Sequence, residues 1–566
     1  MAPSRNTWMR SSPASSPAAR YRGAAKLRSR VSVSASRISE ILGPPSAANA
    51  AGIAGSETNE AQRQARMTAS RLTKGTGGRR GGARNGMGAI IRRLRQLLLC
   101  CCALALVGCE TASTVAGKVL SSDSRPAEGT PGYVRGFLGA VVADEPRAVV
   151  TARDILSAGG SAADAAVALG FTLSVTLPSR AGLGAGGACL AYAANRKSLN
   201  GGAPEAILFM PVTAVGGGAR GDRPAAVPML ARGMFALHAR YGKRPFETLI
   251  TPAEQLARFG TPVSRAFMRD FILVTTPLLV DPNARAIFAP GGQPVQEGSQ
   301  LVQAELGVTL GRLRAAGIGD LYQGSLGRRL AAVSPDAGAA VSLSDLREAL
   351  PRTSPPITLR YGNDAIAFLP PPADGGLAAA AAFQVLAGNP SDVFGAQDRA
   401  MATAAAWRAR GGDPTALLGE RLPPGNLPPL PASTSFTTLD KDGNAVSCAI
   451  TMGNLFGTGR MAPGMGFLLA AAPDATTPPL LAAALAYNDR LHAFRAAVGG
   501  SGQSGAASAV AVAMMNTLRT QTPMAAEVPE PGRANVITCG SYMPDAARSC
   551  AWATDPRGSG LAQGSN

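Results

Sequence analysis

Histidine is almost missing from this chain: His238 and His492 are the whole supply in 566 residues. A Ser-His-Asp triad or a histidine-based metal centre therefore has almost no material to work with. That scarcity points to chemistry that does not use histidine. The eight cysteines fall in no zinc-like spacing. A glycine-rich stretch, Pro178–Gly187, lacks a following Gly-Lys-Ser/Thr and precedes its strand instead of following one, which argues against a nucleotide cradle. The apolar run Leu97–Val107 is too short to span a bilayer. Neither a metal nor a cofactor is expected.

Acidic residues are also scarce, 36 against 55 Lys and Arg, for a net charge of +19. The excess is local. Residues 1–86 hold 13 Arg and 2 Lys against Glu40, Glu57 and Glu60. That segment is otherwise Ser, Ala and Gly with little apolar periodicity, so it reads as a disordered basic stretch and a mis-assigned start, not a nucleic-acid-binding domain. At Met87 a basic segment with Arg92, Arg93 and Arg95 leads into the short apolar run, which ends Leu106-Val107-Gly108-Cys109. Residues 87–109 thus look like a bacterial lipoprotein signal, cleaved before Cys109, the residue that would carry lipid. Residues 110–138 read as a tether. The expected location is the periplasm-facing cell envelope, membrane-attached through the N-terminal lipid. Glu110 favours the outer membrane.

Cysteine usage fits an exported chain. Cys189 and Cys448 lie in apolar, strand-like runs and read as inert core thiols, whereas Cys539 and Cys550 could pair across a surface loop in an oxidising compartment. From Gly139 the sequence becomes that of a folded protein. Ala140–Ala143 reads as a buried strand. Arg147–Thr172 reads as helix broken at Gly159-Gly160, with Ser161 as N-cap of the second part. Much further on, Ser433–Leu439 is a hydroxyl-rich, β-branched strand, Asp440-Lys441-Asp442-Gly443-Asn444 a tight turn, and Ala445–Ile450 a second strand.

This hairpin resembles the start of the small subunit of γ-glutamyltranspeptidases, which are N-terminal-nucleophile hydrolases. The family has a Thr-Thr-His-aromatic-Ser run before an Asp-Lys-Asp-Gly-Asn-Ala-Val turn. Further pieces occur in the family's order. They include Gly159-Gly160-Ser161-Ala162-Ala163-Asp164-Ala165-Ala166-Val167-Ala168, the Pro178–Gly187 loop, His238–Lys243, Leu321-Tyr322-Gln323-Gly324 and Pro370–Gly376. The resemblance covers about residues 139–515. It implies an α+β fold, a four-layer αββα sandwich, divided into a large-subunit-like region, 139–432, and a small-subunit-like region, 433–566.

The resemblance also implies a site. The precursor would cut itself between Ala432 and Ser433. Ungapped alignment through the turn places the family's nucleophilic Thr on Ser433, with Thr434 the second choice, and its histidine on Ser435. A freed α-amine titrates near neutrality and can take the hydroxyl proton. Thr451, eighteen residues on, would bond the nucleophile's hydroxyl. Gly499-Gly500-Ser501 would be the turn whose amides form the oxyanion hole, with Ser501 at the substrate. The substrate clamp departs from the family. Its arginine is Met210, its asparagine Gly453, its Ser-Ser pair Leu481-Ala482 or nearby alanines, and its aspartate falls on Ala475, with Asp474 adjacent. Buried carboxylates and ammonium groups need such partners.

Two functions fit this sequence. One is a self-cleaved amidohydrolase or acyltransferase acting on a small γ-glutamyl or related, more apolar acyl-amide or peptide substrate, its two chains staying associated. The other is a catalytically inactive, lipid-anchored binding module of the same fold.

Overall fold

A computed structural model describes residues 136–194, 202–215, 224–428, 432–473, 478–525 and 528–565. The basic segment, the expected lipoprotein signal with Cys109, nearly all of the expected tether, and Asp474 lie outside the described residues.

The hairpin is built as its residues dictate. Strand β11 (Ser433–Asp440) and strand β12 (Ala445–Thr451) pair in register from Ser433 opposite Thr451 to Leu439 opposite Ala445. The Asp440 carboxylate accepts the backbone N–H groups of Asp442 and Asn444, closing the turn, and Gly443 supplies its positive φ of 82°. Its other oxygen accepts the Ala162 N–H at 3.0 Å, at the head of helix α2 (Ala162–Thr176). The turn is thus tied to a helix N-terminus, where a carboxylate is favoured. Burial nevertheless pushes the Asp440 carboxyl above its ordinary pKa.

Helix α2 follows α1 (Pro146–Ser157) and starts with a capping box between Ser161 and Asp164, so Ser161 is the N-cap its sequence implies. Every residue of α2 is buried. Its small residues allow this: at Gly170 an added Cβ would lie 2.7 Å from Met234 Sδ on helix α3 (Leu230–Tyr241).

Around the hairpin the chain forms two stacked sheets. The strands are β1 (Gly139–Ala143), β2 (Gly186–Tyr192), β3 (Glu205–Phe209), β8 (Arg352–Ser354), β9 (Ile357–Tyr361), β10 (Asp364–Phe368), β13 (Ala482–Asn488), β14 (Ala493–Ser501), β15 (Arg533–Met543), β16 (Cys550–Thr554) and β17 (Leu561–Ser565). Two short ribbons stand apart, β4 (Val212–Thr213) with β5 (Ala226–Val227) and β6 (Thr261–Pro262) with β7 (Gln300–Leu301). One sheet runs β17-β1-β11-β12-β2-β3-β8 and the other β16-β15-β14-β13-β10-β9.

Three apolar clusters fill the gaps between layers. Phe171, Phe436 and Ile450 belong to the cluster between the first sheet and its helices. Phe368, Phe383 and Val510 belong to that between the second sheet and helices α4 (Asp374–Gly388), α5 (Val393–Arg410) and α6 (Ala506–Thr520). Leu190, Leu439 and Ile537 lie between the sheets. The result is a four-layer αββα sandwich with the hairpin in its middle.

Two sequence expectations change, and the tail, for which the sequence implies no fold, forms strands. The residues after Pro523, where the resemblance fades, form β15, β16 and β17, strands of both sheets. Cys189 and Cys448 are not free thiols: they face each other across the β2–β12 ladder and form a disulfide. Cys539 and Cys550 do pair, but across the β15–β16 ladder, not across a surface loop. The spacing of Cys189 and Cys448, 259 residues, hides a contact that only the ladder register creates.

Candidate active site

Strand alternation assigns the hydroxyls of β11 to two faces. Ser435 points to the second sheet, where Asn535 Nδ2 of β15 donates to its Oγ at 3.0 Å and to its carbonyl at 2.9 Å. Ser433 shares that face. Thr434 is on the face of Phe436 and Thr438, the latter donating to Ala162 O of α2.

Both Ala432 and Ser433 are buried. Directly opposite Ser433, the Thr451 hydroxyl donates to the Ala432 carbonyl oxygen at 2.7 Å and accepts the Gly453 N–H at 3.0 Å. Thr451 is thus beside the expected nucleophile, but its proton goes to the carbonyl of the Ala432–Ser433 bond, not to the Ser433 hydroxyl. The next carbonyl, that of Ser433, accepts from Arg180 Nη1 at 2.9 Å. Arg180 is fixed by a two-pronged bond to Asp270, at 2.7 and 2.6 Å, and Ser179 also donates to Asp270. Burial opposes the guanidinium charge, yet the Asp270 bonds prevail and hold its pKa above the ordinary value.

Strand β1 shapes the other flank. Its pairing with β11 ends at Ala143 opposite Phe436, so Ser433 and Thr434 extend beyond it. A cavity of about 270 Å³ opens beyond that end, lined by Asp144, Arg180, Arg269, Ala432, Ser501 and Arg533 among others. A larger cavity, about 610 Å³, lies beside Tyr192, Lys243 and Asn444 at the turn end of the hairpin, the end remote from Ser433.

The glycine pair does not form a turn. Gly499 and Gly500 lie inside β14, paired with Ala483 and Ala482 on one side and with Asn535 and Ala534 on the other. Glycine is required there for approach. A Cβ on Gly499 would lie 3.0 Å from Ser435 Cβ, and one on Gly500 would lie 2.5 Å from Ala506 O of α6. Their amides belong to the ladders, so the structure gives these residues a packing place instead of the expected oxyanion turn. Ser501 ends the strand and donates to Asp144 Oδ2 at 3.1 Å.

The family's clamp is absent where the sequence says it should be. Met210 packs against the inter-sheet core, and Leu481 and Ala482 are fully buried. Gly453 has φ 77°, and a Cβ there would lie 2.8 Å from Ala471 O, leaving no place for asparagine. The cavity is nonetheless not apolar, because Asp144, Arg180, Arg269 and Arg533 bring charge to it from other elements. Sequence reading missed Asp144, Arg180, Asp270 and Asn535. Arg180 was visible inside the glycine-rich loop Pro178–Gly187, and Asp144 as the first charge after the β1 run. Asn535 had no signal. Among the described residues no cluster of three or more His, Cys, Asp or Glu that could hold a metal ion converges.

Two stacked sheets between helical layers, with a hydroxyl residue heading a central strand, define an N-terminal-nucleophile hydrolase fold. A cephalosporin acylase from Bacillus halodurans has the same fold, with a TM-score of 0.62 at 19% identity, over 77% of this chain and 98% of that one. The gamma-glutamyltranspeptidase family model matches residues 148–416, ending before the hairpin. The glutathione hydrolase proenzyme of Escherichia coli (strain K12) is 28% identical over 392 residues, 59% of this chain and 66% of its own length. The acylase ACY 1 proenzyme of Pseudomonas sp. (strain V22) is 30% identical over 269 residues, 45% of this chain and 48% of its own. The chain is thus similar to the γ-glutamyltranspeptidase family over residues 148–416. It spans just under two thirds of the Escherichia coli relative and about half of the acylase.

Proposed function

We propose that this chain is a self-cleaving amidohydrolase or acyltransferase whose nucleophile is Ser433. The observation that carries this is the Thr451 hydroxyl on the Ala432 carbonyl oxygen, opposite Ser433. In self-cleavage the Ser433 oxygen attacks the Ala432 carbonyl carbon. The C–N bond breaks, its electron pair and the hydroxyl proton go to the Ser433 nitrogen, and an ester remains. Water then releases the Ala432 carboxylate and restores the hydroxyl. Charge that develops on the Ala432 oxygen meets a donor already in place, the type of contact that stabilises such intermediates. Afterwards the Ser433 α-amine serves as base towards a γ-glutamyl or related acyl-amide, which the relatives' names suggest.

The test is a panel of γ-glutamyl and other acyl anilides. Release of the aniline by the natural chain, and its loss in Ser433→Ala, would support the reading. Turnover unchanged by that substitution would refute it. The alternative, an uncleaved binding module, is favoured by Met210 and Gly453 at the clamp positions, and predicts no turnover of any panel member.

The proposal includes export and lipid attachment at Cys109, with the two chains held together in the cell envelope. Two disulfides suit an oxidising compartment. Radiolabelled palmitate should enter the natural protein and not Cys109→Ser.

A further inference from the structure

Strand β1 stops one residue short of where β11 still needs a neighbour, and a side chain fills the place. Continuing the β1–β11 register beyond Ala143 and Phe436 sets Asp144 beside Ser435. The Ser435 N–H, which a continued strand would have bonded through a backbone carbonyl, is instead accepted by Asp144 Oδ2 at 3.2 Å. The same oxygen accepts the Thr434 hydroxyl at 2.9 Å and the Ser501 hydroxyl at 3.1 Å. Asp144 Oδ1 accepts Asn535 Nδ2 at 2.8 Å, and Asn535 is itself held by the Thr554 hydroxyl at 2.7 Å. One carboxylate therefore joins β1, β11, β14 and β15, and it lines the cavity next to Ala432.

We propose that Asp144 is a positioning residue for the nucleophile, acting through Thr434 and Ser435 on Ser433. This rests on the reading of Ser433 given above. Shortening β1 opens the cavity beside the Ala432–Ser433 bond but leaves the head of β11 with a strand on one flank only. After cleavage Ser433 becomes a chain terminus, and termini fray unless tied down. β12 ties one flank. On the other, Asp144 holds the two following residues, and Arg180 holds the Ser433 carbonyl. The carboxylate supplies acceptors where a backbone carbonyl would have closed the cavity. Through Asn535 it fixes Ser435 from the inter-sheet face, and through Thr434 it fixes the strand from the opposite face. The side chain of Ser433, between these anchors and the scissile bond, is left free to react.

The experiment follows self-cleavage, which needs no added substrate. The full chain is made by cell-free synthesis, and intact mass is recorded with time for the natural protein, Asp144→Asn, Thr434→Val and the double variant. Thermal unfolding is measured in parallel. Asp144→Asn keeps the side-chain shape but offers one acceptor oxygen to four donors. The expected first-order rate is about 10-fold lower, equal to about 1.4 kcal/mol in barrier. Thr434→Val removes one donor and should slow cleavage less, and the double variant should be no slower than Asp144→Asn, because both act through one contact. Cleavage of Asp144→Asn at the natural rate, with or without a lowered unfolding temperature, would overturn the proposal and leave Asp144 a structural residue. If Asp144→Asn does not fold, a natural rate in Thr434→Val overturns it equally. A new N-terminus at Thr434, or no cleavage of the natural chain, would instead overturn the Ser433 reading and this proposal with it.

Discussion

Replacing Cys448 with alanine, or reducing the Cys189–Cys448 bond, removes a link between β2 and β12, two adjacent strands of the first sheet. The bond closes a loop of 259 residues. In the chain-entropy account such a loop restricts the unfolded chain by about 5–6 kcal/mol at 25 °C, an upper figure, since measured disulfides typically contribute about 2–4 kcal/mol. The bond also has a consequence for processing. Cys189 lies before Ala432 and Cys448 after it, so cleavage at Ala432–Ser433 would leave the two chains covalently joined. Two assays read this out. Urea unfolding of the uncut Ser433→Ala chain, in which the loop is still closed, should differ with and without Cys448→Ala by at least about 2 kcal/mol. A denaturing gel of the natural protein should show one species without reductant and two with it. Equal unfolding midpoints, or two bands without reductant, would show that the bond does not join these strands.

Three further outcomes follow from the same geometry. Gly499→Ala puts a methyl 3.0 Å from Ser435 Cβ, and should cost about 1–3 kcal/mol by urea unfolding and slow self-cleavage, since the sheets must separate at the nucleophile strand. Glu145 is buried and its carboxyl is raised above the ordinary 4.5 by desolvation, against hydrogen bonds from Thr176 and Ala148. A raised carboxyl adds stability that is present below the unfolded-state pKa and lost as pH rises through the folded-state value. Glu145→Gln should therefore flatten the fall in stability above pH 4.5, seen as urea midpoints that change less with pH than those of the natural protein. Asp144→Asn should lower the self-cleavage rate about 10-fold in the intact-mass time course, with its effect shared with Thr434→Val.

The parts of the fold that local chemistry dictates were legible. The β11–β12 hairpin follows from hydroxyl and β-branched residues around Asp-Lys-Asp-Gly-Asn, and the start of α2 from Ser161 and Asp164. The misreadings are tertiary. Gly499-Gly500 looks like turn chemistry, but the glycines serve a close approach to Ser435 and to α6 that no local pattern encodes. The Cys189–Cys448 pair depends on ladder register, and Asn535 on a tail whose strands join sheets begun hundreds of residues earlier. Asp144 matters because β1 ends at Ala143, and the apolar run shows only that the strand stops there. Ser433 and Thr451 stand opposite each other in the hairpin, a pairing their spacing around the turn implies. What Thr451 touches, the Ala432 carbonyl, needed the three-dimensional arrangement.

In the proposed reaction Ser433 breaks the bond before it. Intact-mass spectrometry under reducing conditions, on the natural protein and on Ser433→Ala, tests it most directly. Two chains from the natural protein, the smaller beginning at Ser433, with an uncut Ser433→Ala chain, are the predicted result. A single natural chain, or a Ser433→Ala chain cut at the same bond, would contradict it.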